Sequence, residues 1–213
     1  MTKTTEIVEI TSAAELRELV GTPGERAVRK VRGTLHPHHR AWIAASPYFL
    51  LATCDGEGRC DVSPKGDPPG SVLALDDRTL AIPDRPGNRR LDSFLNVLSN
   101  PGVALLFLVP GRLDTLRVNG RARLVRDAPF FDDLVVQGHR PTLALLVEIE
   151  EVYFHCPKAS MRSALWQPET WPDPASLPST ARLAKEVADV SETLAELERH
   201  YAPEQYDRKL YGA

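Results

Sequence analysis

Pro86-Gly87-Asn88-Arg89-Arg90 leads directly into a helix-like pattern that ends at Asn100-Pro101. Apolar residues in that pattern recur at i, i+3, i+4 and i+7, which predicts an amphipathic helix with one buried stripe. The stripe consists of Leu91, Phe94, Leu95 and Leu98. Asn88 is suited to cap the start of this helix, and it should end at Asn100 because the residue before a proline disfavours helical backbone.

The predicted helix places Arg89 and Arg90 in its first turn. Backbone N–H groups there have no intrahelical partner and carry partial positive charge, so two cations beside them are unfavourable by themselves. A phosphate would accept hydrogen bonds from the N–H groups and from both guanidinium groups. The pattern indicates a phosphate site, with the alternative that both arginines are solvated surface residues.

The composition narrows the class of protein. The 213 residues are 42% hydrophobic and 26% charged, which is typical of a soluble globular protein with one substantial domain. The net charge of −3 argues against a general nucleic-acid binder. No apolar run approaches the roughly 20 residues of a membrane span, and no signal peptide is expected. Cys54, Cys60 and Cys156 form no Cys-x-x-Cys motif and are interpreted as reduced thiols of a cytoplasmic protein.

Strand patterns dominate the middle of the chain. Apolar, β-rich stretches between turn residues predict strands at 48–54, 59–63, 71–75, 79–83, 103–109, 114–118, 121–125 and 142–153, with a turn or bulge at Asn119-Gly120. Helices are predicted at 12–20, 36–46 and 129–137. We therefore expect a mainly β protein with flanking helices, whose antiparallel sheet closes or nearly closes into a barrel.

The pattern predicts that the chain is organised in three segments. They are a polar, helical N-terminal segment at 1–34, the barrel at 35–156, and a C-terminal strap and helix at 157–213. Apolar residues near the C-terminus recur at steps of four and three, at Leu183, Val187, Val190, Leu194 and Leu197. This spacing predicts one helix with a coiled-coil-like seam of about two heptads. The helix could pack on its own barrel or on a partner subunit.

A second candidate anion site lies at the end of a strand, in Ser63-Pro64-Lys65-Gly66. Its hydroxyl and ammonium groups are both suited to a phosphate. Taken alone the signal is weak, because a lysine in a glycine-containing loop is usually solvated.

The two clusters, together with Ile82-Pro83 and the segment 116–120, resemble the pyridoxamine 5'-phosphate oxidase-like family of FMN-binding split-barrel proteins. The resemblance covers about residues 40–155. It implies a split antiparallel β-barrel, noncovalently bound FMN, and a homodimer with the flavin in a groove between two barrels.

The resemblance also implies roles for individual residues. Asn88, Arg89 and Arg90 match a Gly-Ser-Arg-Lys segment whose basic pair binds the FMN phosphate. The strand residues Val62, Ser63 and Lys65 match a strand whose backbone faces the flavin ring and whose lysine approaches it, and Ile82 and Pro83 match the strand under the isoalloxazine and ribityl chain.

Two further positions lie on a later strand. Thr115 stands where the true oxidases carry a flavin-contacting glutamine. Arg117 points to the same side as Thr115 because side chains alternate along a strand. It could face the cofactor or pair with a carboxylate.

The C-terminal segment departs from the true oxidases, since it lacks their Arg-x-His motif that binds the substrate phosphate. Lys158 and Arg162 are four residues apart, on one face of a helical turn. The tail resembles that of uncharacterised FMN-dependent split-barrel proteins. This implies that Lys158, Arg162 and Ser163 lie at the flavin or an anionic substrate, with Trp166 or Trp171 over the ring. The alternative is a polar strap across the barrel mouth.

These features predict a cytoplasmic, homodimeric FMN-binding flavoprotein that acts as an oxidoreductase on a small molecule. The alternatives are an F420-dependent reductase of the same fold and a non-enzymatic flavin carrier or sensor. No side chain is assigned as catalytic, since the cofactor carries the chemistry. No metal site is expected, because His36, His38 and His39 lack a nearby acidic or cysteine ligand.

Overall fold

A computed structural model describes residues 7–207 and 209–211 of the chain. The chain divides into two compact units, residues 1–31 and residues 32–213. The first unit contains the helices α1, Ala13–Val20, and α2, Glu25–Arg29, neither of which has a buried residue. The predicted start of α1 is confirmed, because the Ser12 hydroxyl accepts a hydrogen bond from the Glu15 N–H at 3.2 Å.

The second unit is built on one antiparallel sheet of seven strands, in the spatial order β2-β1-β5-β6-β7-β4-β3. The strands are β1 Tyr48–Cys54, β2 Cys60–Gly66, β3 Leu73–Ala74, β4 Thr79–Pro83, β5 Gly102–Leu108, β6 Thr115–Val125 and β7 Ala144–His155. The mainly β, split-barrel class is confirmed. Among the described residues no ladder joins β2 to β3, so hydrogen bonds do not close the sheet into a ring.

Helices flank this sheet. They are α3 Pro37–Ala45, α4 Asp92–Ser99, α5 Lys158–Arg162, α6 Thr180–Val187, α7 Leu194–His200 and α8 Pro203–Asp207. Short 3₁₀ turns occur at Pro129–Leu134, Pro168–Thr170 and Pro174–Ser176, and the first of these replaces the predicted helix at 129–137. None of the described helices has the length and apolar character needed to cross a bilayer.

The prediction of one continuous helix through residues 183–197 is wrong. The segment forms two helices, and Asp189 between them has φ +49°, which a continuing right-handed helix cannot accommodate. Each helix has its own start signal, because the Ser179 hydroxyl accepts from the Arg182 N–H and the Thr193 hydroxyl from the Glu196 N–H. The apolar spacing of four and three is therefore divided between two helices.

The core of the second unit lies on the inner face of the sheet. Alternate residues of β1, β5 and β6 point inward, and their largest fully buried side chains are Leu51, Leu105, Phe107, Leu116 and Val118. This alternation follows from the period of two along a strand, which places every second side chain on the same face. The outward positions of these strands are partly buried or exposed.

The predicted turn or bulge at Asn119-Gly120 is a bulge within one long strand. The pairing of β6 with β7 shifts here, since Asn119 pairs with Glu151 and Gly120 pairs with Ile149. Glu150 is therefore the extra residue on β7. The strands predicted at 114–118 and 121–125 are one strand, because the bulge bends the ladder without ending it.

Helix α4 differs from its prediction in where it begins and in which face it buries. It begins at Asp92, after Leu91 in a left-handed conformation at φ +59°, so Asn88 is not its N-cap. Its buried residues are Ser93, Phe94 and Val97. The Ser93 hydroxyl donates to Asp61 at 2.6 Å, which holds this face against β2.

The predicted buried stripe on α4 is therefore mostly wrong. Phe94 is buried, whereas Leu91, Leu95 and Leu98 are 46%, 59% and 72% exposed. A second hydrogen bond explains the rotation, because the Asn96 amide donates to the Thr53 hydroxyl of β1 at 3.0 Å. Two polar side chains thus face the sheet, and three leucines form a row on the opposite side of the helix.

Candidate functional site

A groove of about 360 Å³ lies where the ends of β2 and β4 meet the segment that follows β4. Its walls come from three separate parts of the chain between residues 49 and 88. The lining residues are Phe49, Ser63, Pro64, Lys65, Gly66, Asp67, Ser71, Val72, Ile82, Pro83, Asp84, Arg85, Pro86, Gly87 and Asn88. A concave surface with a few polar groups is typical of a small-molecule site.

Lys65 is the cation on the β2 wall of the groove. Its strand position pairs it with the buried Phe49, which turns its side chain towards the inside of the sheet. The ammonium lies 5.2 Å from the ring centroid of Phe94 on α4. Burial lowers the pKa of Lys65, and the nearby carboxylates of Asp84 and Asp61 oppose that shift. A bound anion would favour the charged form of this lysine.

Asp84 follows β4 and lies on the opposite wall of the groove. Burial raises the pKa of Asp84, and the charges of Lys65 and Arg85 oppose the increase. Lys65 and Asp84 are thus both shifted towards their neutral forms by burial. Two half-buried groups with perturbed pKa values in one groove mark it as a candidate functional site.

Arg85 is held by a buried ion pair next to the groove. Its Nε donates to Asp67 Oδ2 at 2.6 Å, and both side chains are nearly buried, at 13% and 11% exposure. A second donor, Nη2, reaches the carbonyl oxygen of Leu134 at 2.9 Å. The Tyr211 hydroxyl donates to Asp67 Oδ1 at 2.7 Å, and the guanidinium lies 5.5 Å from the Tyr211 ring centroid. The C-terminal segment therefore reaches the wall of this groove.

The segment 86–91 forms an irregular turn instead of the first turn of a helix. Arg89 and Leu91 have φ of +61° and +59°, an uncommon conformation for residues other than glycine. The Asn88 side chain accepts a hydrogen bond from the Arg90 N–H at 3.0 Å. Asn88 therefore stabilises this turn and does not cap α4. Strained backbone of this kind is often found at ligand sites.

Arg90 already has an acidic partner in this turn. Its Nε donates to Asp92 Oδ2 at 2.7 Å, and this bond raises the pKa of Arg90. The side chain is still 72% exposed. Both arginines thus lie at the surface beside the end of the groove, and any anion that binds Arg90 must compete with Asp92.

The structure brings together five of the residues predicted from the sequence to bind the cofactor. Lining the groove are Ser63, Lys65, Ile82, Pro83 and Asn88, and Arg89 and Arg90 directly follow. Val62 is not among the lining residues. It is 58% exposed and points to the other face of β2, opposite Ala52.

Thr115 and Arg117 lie on β6, on the outward face of the sheet and away from the groove lining. Arg117 Nη1 donates to the Tyr153 hydroxyl at 3.0 Å, with the guanidinium 5.5 Å from that ring. Within residues 7–207 and 209–211 the side-chain contact of Arg117 is with this tyrosine, and its role at a cofactor stays a prediction.

The predicted helical turn in the C-terminal segment is confirmed as α5. Lys158 and Arg162 on this helix and Ser163 directly after it are exposed and do not line the groove. Trp166 donates its ring N–H to the carbonyl oxygen of Arg112 at 2.7 Å, which attaches the segment to the turn between β5 and β6. Trp171 is 50% exposed. The roles of these residues at a flavin stay predictions.

The histidines near the start of α3 act in its capping. His36 Nδ1 accepts from the His38 N–H at 3.2 Å, and the His36 N–H donates to His39 Nδ1 at 3.1 Å. Over residues 7–207 and 209–211, no three histidine, cysteine or acidic side chains are arranged to hold a metal ion.

Sequence reasoning missed several groove residues. Asp67, Asp84 and Arg85 carry most of the charge on its walls, together with Lys65. One signal could have found two of them, because Asp84-Arg85 lies between two prolines directly before the Gly87-Asn88 turn. Charged residues confined between prolines at a strand end are poorly placed for a helix or sheet and well placed for a ligand.

Comparison with known proteins gives the following relatives. HupZ from Group A Streptococcus is 17% identical over 56% of this chain and 93% of its own, with a TM-score of 0.46. A Lactobacillus delbrueckii protein named as a candidate pyridoxamine 5'-phosphate oxidase is 23% identical over 57% and 95%, with a TM-score of 0.44. An FMN-binding protein from Syntrophomonas wolfei is 14% identical over 55% and 83%, with a TM-score of 0.43. No curated protein matches the sequence.

A family model gives the assignment. The model described as pyridoxamine 5'-phosphate oxidase matches residues 35–156, which is more than half of the chain and includes all seven strands and every residue that lines the groove. The chain therefore belongs to the pyridoxamine 5'-phosphate oxidase family.

Proposed function

We propose that the second unit binds FMN in the groove and that the protein is an FMN-dependent oxidoreductase acting on a small organic molecule. One observation carries this proposal. The end of β2 with Ser63 and Lys65, the end of β4 with Ile82 and Pro83, and the turn at Asn88 line a single groove. These are the segments that the family resemblance associates with flavin. When bound, FMN supplies hydride or electron transfer.

The residues of the groove fit an anionic ligand with a flat apolar part. Ile82, Pro83 and Val72 offer a buried apolar surface. Lys65 is half-buried, and an anion beside it would offset the cost of its desolvation. Burial raises the pKa of Asp84, which weakens the repulsion between this carboxyl and an anion. Both effects support a ligand such as FMN.

We assign the phosphate to Arg89 and Arg90. Both side chains are exposed at the mouth of the groove, and the turn that carries them is fixed by the Asn88 side chain. Arg90 is paired with Asp92 at 2.7 Å. A phosphate carries more charge than this carboxylate and can accept from both guanidinium groups, so it competes successfully for Arg90.

Replacing Arg89 or Arg90 with alanine should lower the affinity for FMN about 10- to 100-fold, since each change removes a charge-assisted hydrogen bond to the phosphate. The fold should survive because both side chains are exposed. Equilibrium titration followed by flavin fluorescence measures the effect. Riboflavin, which lacks the phosphate, should bind the wild type and these variants equally.

Asp92→Asn is the matched control for this experiment. It removes the carboxylate that competes for Arg90, so FMN affinity should rise while riboflavin affinity stays unchanged. If Arg89→Ala, Arg90→Ala and Asp92→Asn all bind FMN as the wild type does, the arginine pair is a surface feature and the phosphate assignment is wrong.

We also propose that the protein is a homodimer. Leu91, directly before α4, and Leu95 and Leu98 on it are exposed close to the arginine turn, and an exposed group of apolar side chains favours a protein interface. In such a dimer the outward-facing Arg117 and the exposed Lys158 would be available to the flavin on the partner subunit.

Sedimentation at micromolar concentration tests this proposal. An obligate interface should bury on the order of 2,000 Å² and should be mostly apolar. Leu95→Glu would place a charge in that interface and should shift the protein towards the monomer, whereas Leu177→Glu changes another exposed leucine, which is 72% exposed on the C-terminal segment, and should not. A wild-type monomer that binds FMN would contradict the dimer.

A further inference from the structure

Two of the three cysteines face each other across the hairpin of β1 and β2. Cys54 is the last residue of β1 and Cys60 the first residue of β2, and they are direct partners in the register of the two strands. Direct partners point to the same face of a sheet. Both thiols are free, Cys54 is half-buried and Cys60 is exposed.

The hydrogen bonds of the hairpin define the type of this pair. The Asp55 N–H donates to the Arg59 carbonyl at 3.0 Å, and at the other end of the ladder the Asp67 N–H donates to the Pro47 carbonyl at 3.0 Å. Bonded and non-bonded pairs alternate along an antiparallel ladder, so both ends place Cys54 and Cys60 in a non-hydrogen-bonded pair. Such pairs have Cα atoms about 4.5 Å apart, within the range that a disulfide spans.

The Cys54 sulfur is held in place by its neighbours. The Asn100 side-chain amide donates to Cys54 Sγ at 3.1 Å, and the oxygen of the same amide accepts from the Gly102 N–H at 3.1 Å. Asn100 is thus fixed at both ends. Cys60 is less constrained, since its Sγ lies 3.7 Å from the Gly58 carbonyl oxygen at the exposed turn. Rotation of the Cys60 side chain can bring its sulfur towards Cys54 without a change in the strands.

We propose that Cys54 and Cys60 are a reversible thiol–disulfide pair, oxidised by a peroxide. The exposed Cys60 sulfur attacks the O–O bond, forms a sulfenic acid and releases the first water or alcohol. The Cys54 sulfur then attacks the sulfenic sulfur, forms the S–S bond and releases a water. Two thiols lose two electrons and two protons in total, and the peroxide is reduced. Thiol reductants restore the two thiols.

The third cysteine is a built-in comparison. Cys156 follows β7, which two strands separate from β1, and it has no cysteine opposite it in the register. It is exposed and free like Cys60. Cys156 therefore shares the accessibility of Cys60 but lacks its partner, and it should remain a free thiol when the pair is oxidised.

The test uses the full-length protein treated with hydrogen peroxide after reduction and removal of the reductant. The number of free thiols, titrated in denaturant, should fall from three to one per chain. Trypsin cleaves after Arg59, so peptides 41–59 and 60–65 should be found linked under non-reducing conditions and separate after dithiothreitol. In the Cys156→Ser variant the count should fall from two to zero, with the same linked peptides.

A second variant tests the register. Cys60→Ser combined with Val62→Cys keeps two cysteines on the same face but moves one to the position opposite Ala52, and the linked peptides should be lost. Circular dichroism shows whether this variant is folded. The proposal is overturned if the wild type keeps three thiols, if peptide 60–65 carries only a sulfinic or sulfonic acid, or if Cys156 is the residue linked.

Discussion

Replacing Gly120 with alanine should lower the free energy of unfolding of the second unit by about 3 kcal/mol or more. A Cβ at this position would overlap the carbonyl oxygen of Glu148 and lie 3.0 Å from its carbonyl carbon and 3.3 Å from Ile149 Cα. All of these atoms belong to the backbone of β7 and cannot rotate away. The bulge between β6 and β7, in the middle of the sheet, would have to open.

Urea denaturation followed by circular dichroism measures this loss. Gly56→Ala is the matched control, because a Cβ there meets only the Ser99 Cβ at 4.0 Å, an ordinary contact. The control should change the free energy of unfolding by less than about 0.5 kcal/mol. If Gly120→Ala had the same urea midpoint as the wild type, the bulge would tolerate a side chain. The close approach of the β6 and β7 backbones at Gly120 would then not be required.

Replacing Asp67 with alanine should cost about 3 kcal/mol of stability, because Arg85 would remain as a nearly buried cation without its carboxylate. The pair is 2.6 Å apart, and the Tyr211 hydroxyl also loses its acceptor in this variant. Thermal unfolding of Asp67→Ala, Arg85→Ala and the double variant measures the coupling. The double variant should be less destabilised than the sum of the two single variants.

Asp127→Ala provides the surface comparison. Asp127 pairs with Arg140 at 2.9 Å, but its side chain is 76% exposed, and Arg140 keeps a second partner in Asp132. This change should leave the unfolding temperature almost unchanged, because exposed ion pairs are screened by water and salt. For the buried pair, the prediction would be wrong if the losses of stability in Asp67→Ala and Arg85→Ala added up to the loss in the double variant. The two side chains would then stabilise the groove wall separately.

The strands could be predicted because the pattern of apolar residues within each strand reflects which of its faces is buried. In β1, β5 and β6, buried residues alternate with less buried ones and most of the buried ones are apolar, and the turn residues between strands are local signals. The bulge at Gly120 was also visible, since an Asn-Gly pair within a strand pattern favours a turn or a bulge. These features need no knowledge of distant parts of the chain.

Helix α4 shows where local patterns fail. The leucine spacing suggests that Leu91, Leu95 and Leu98 are buried, yet the helix turns Ser93 and Asn96 to the sheet. The reason lies in Asp61 and Thr53, which are 32 and 43 residues away. The hydrophobic pattern of the helix alone does not show which polar partners on the sheet, such as Asp61 and Thr53, will lie next to it in the folded protein.

Only part of the groove could be predicted, because only part of it is marked by local motifs. Ser63, Lys65 and the arginine turn carry short motifs, and the family resemblance adds their role. The link of Asp67 to Arg85 spans 18 residues and its link to Tyr211 spans 144, so no window along the sequence contains the cluster. The register that pairs Cys54 with Cys60 likewise depends on the hairpin and not on a motif.

The central claim is that the groove between β2 and β4 binds FMN through its phosphate and ring together. Titration of the wild-type protein with FMN and, in parallel, with riboflavin tests it most directly, with quenching of flavin fluorescence as the readout. We expect one FMN per chain and an affinity for FMN at least about tenfold higher than for riboflavin, which corresponds to one charge-assisted contact. A protein that binds neither flavin, or binds both equally, would contradict the account.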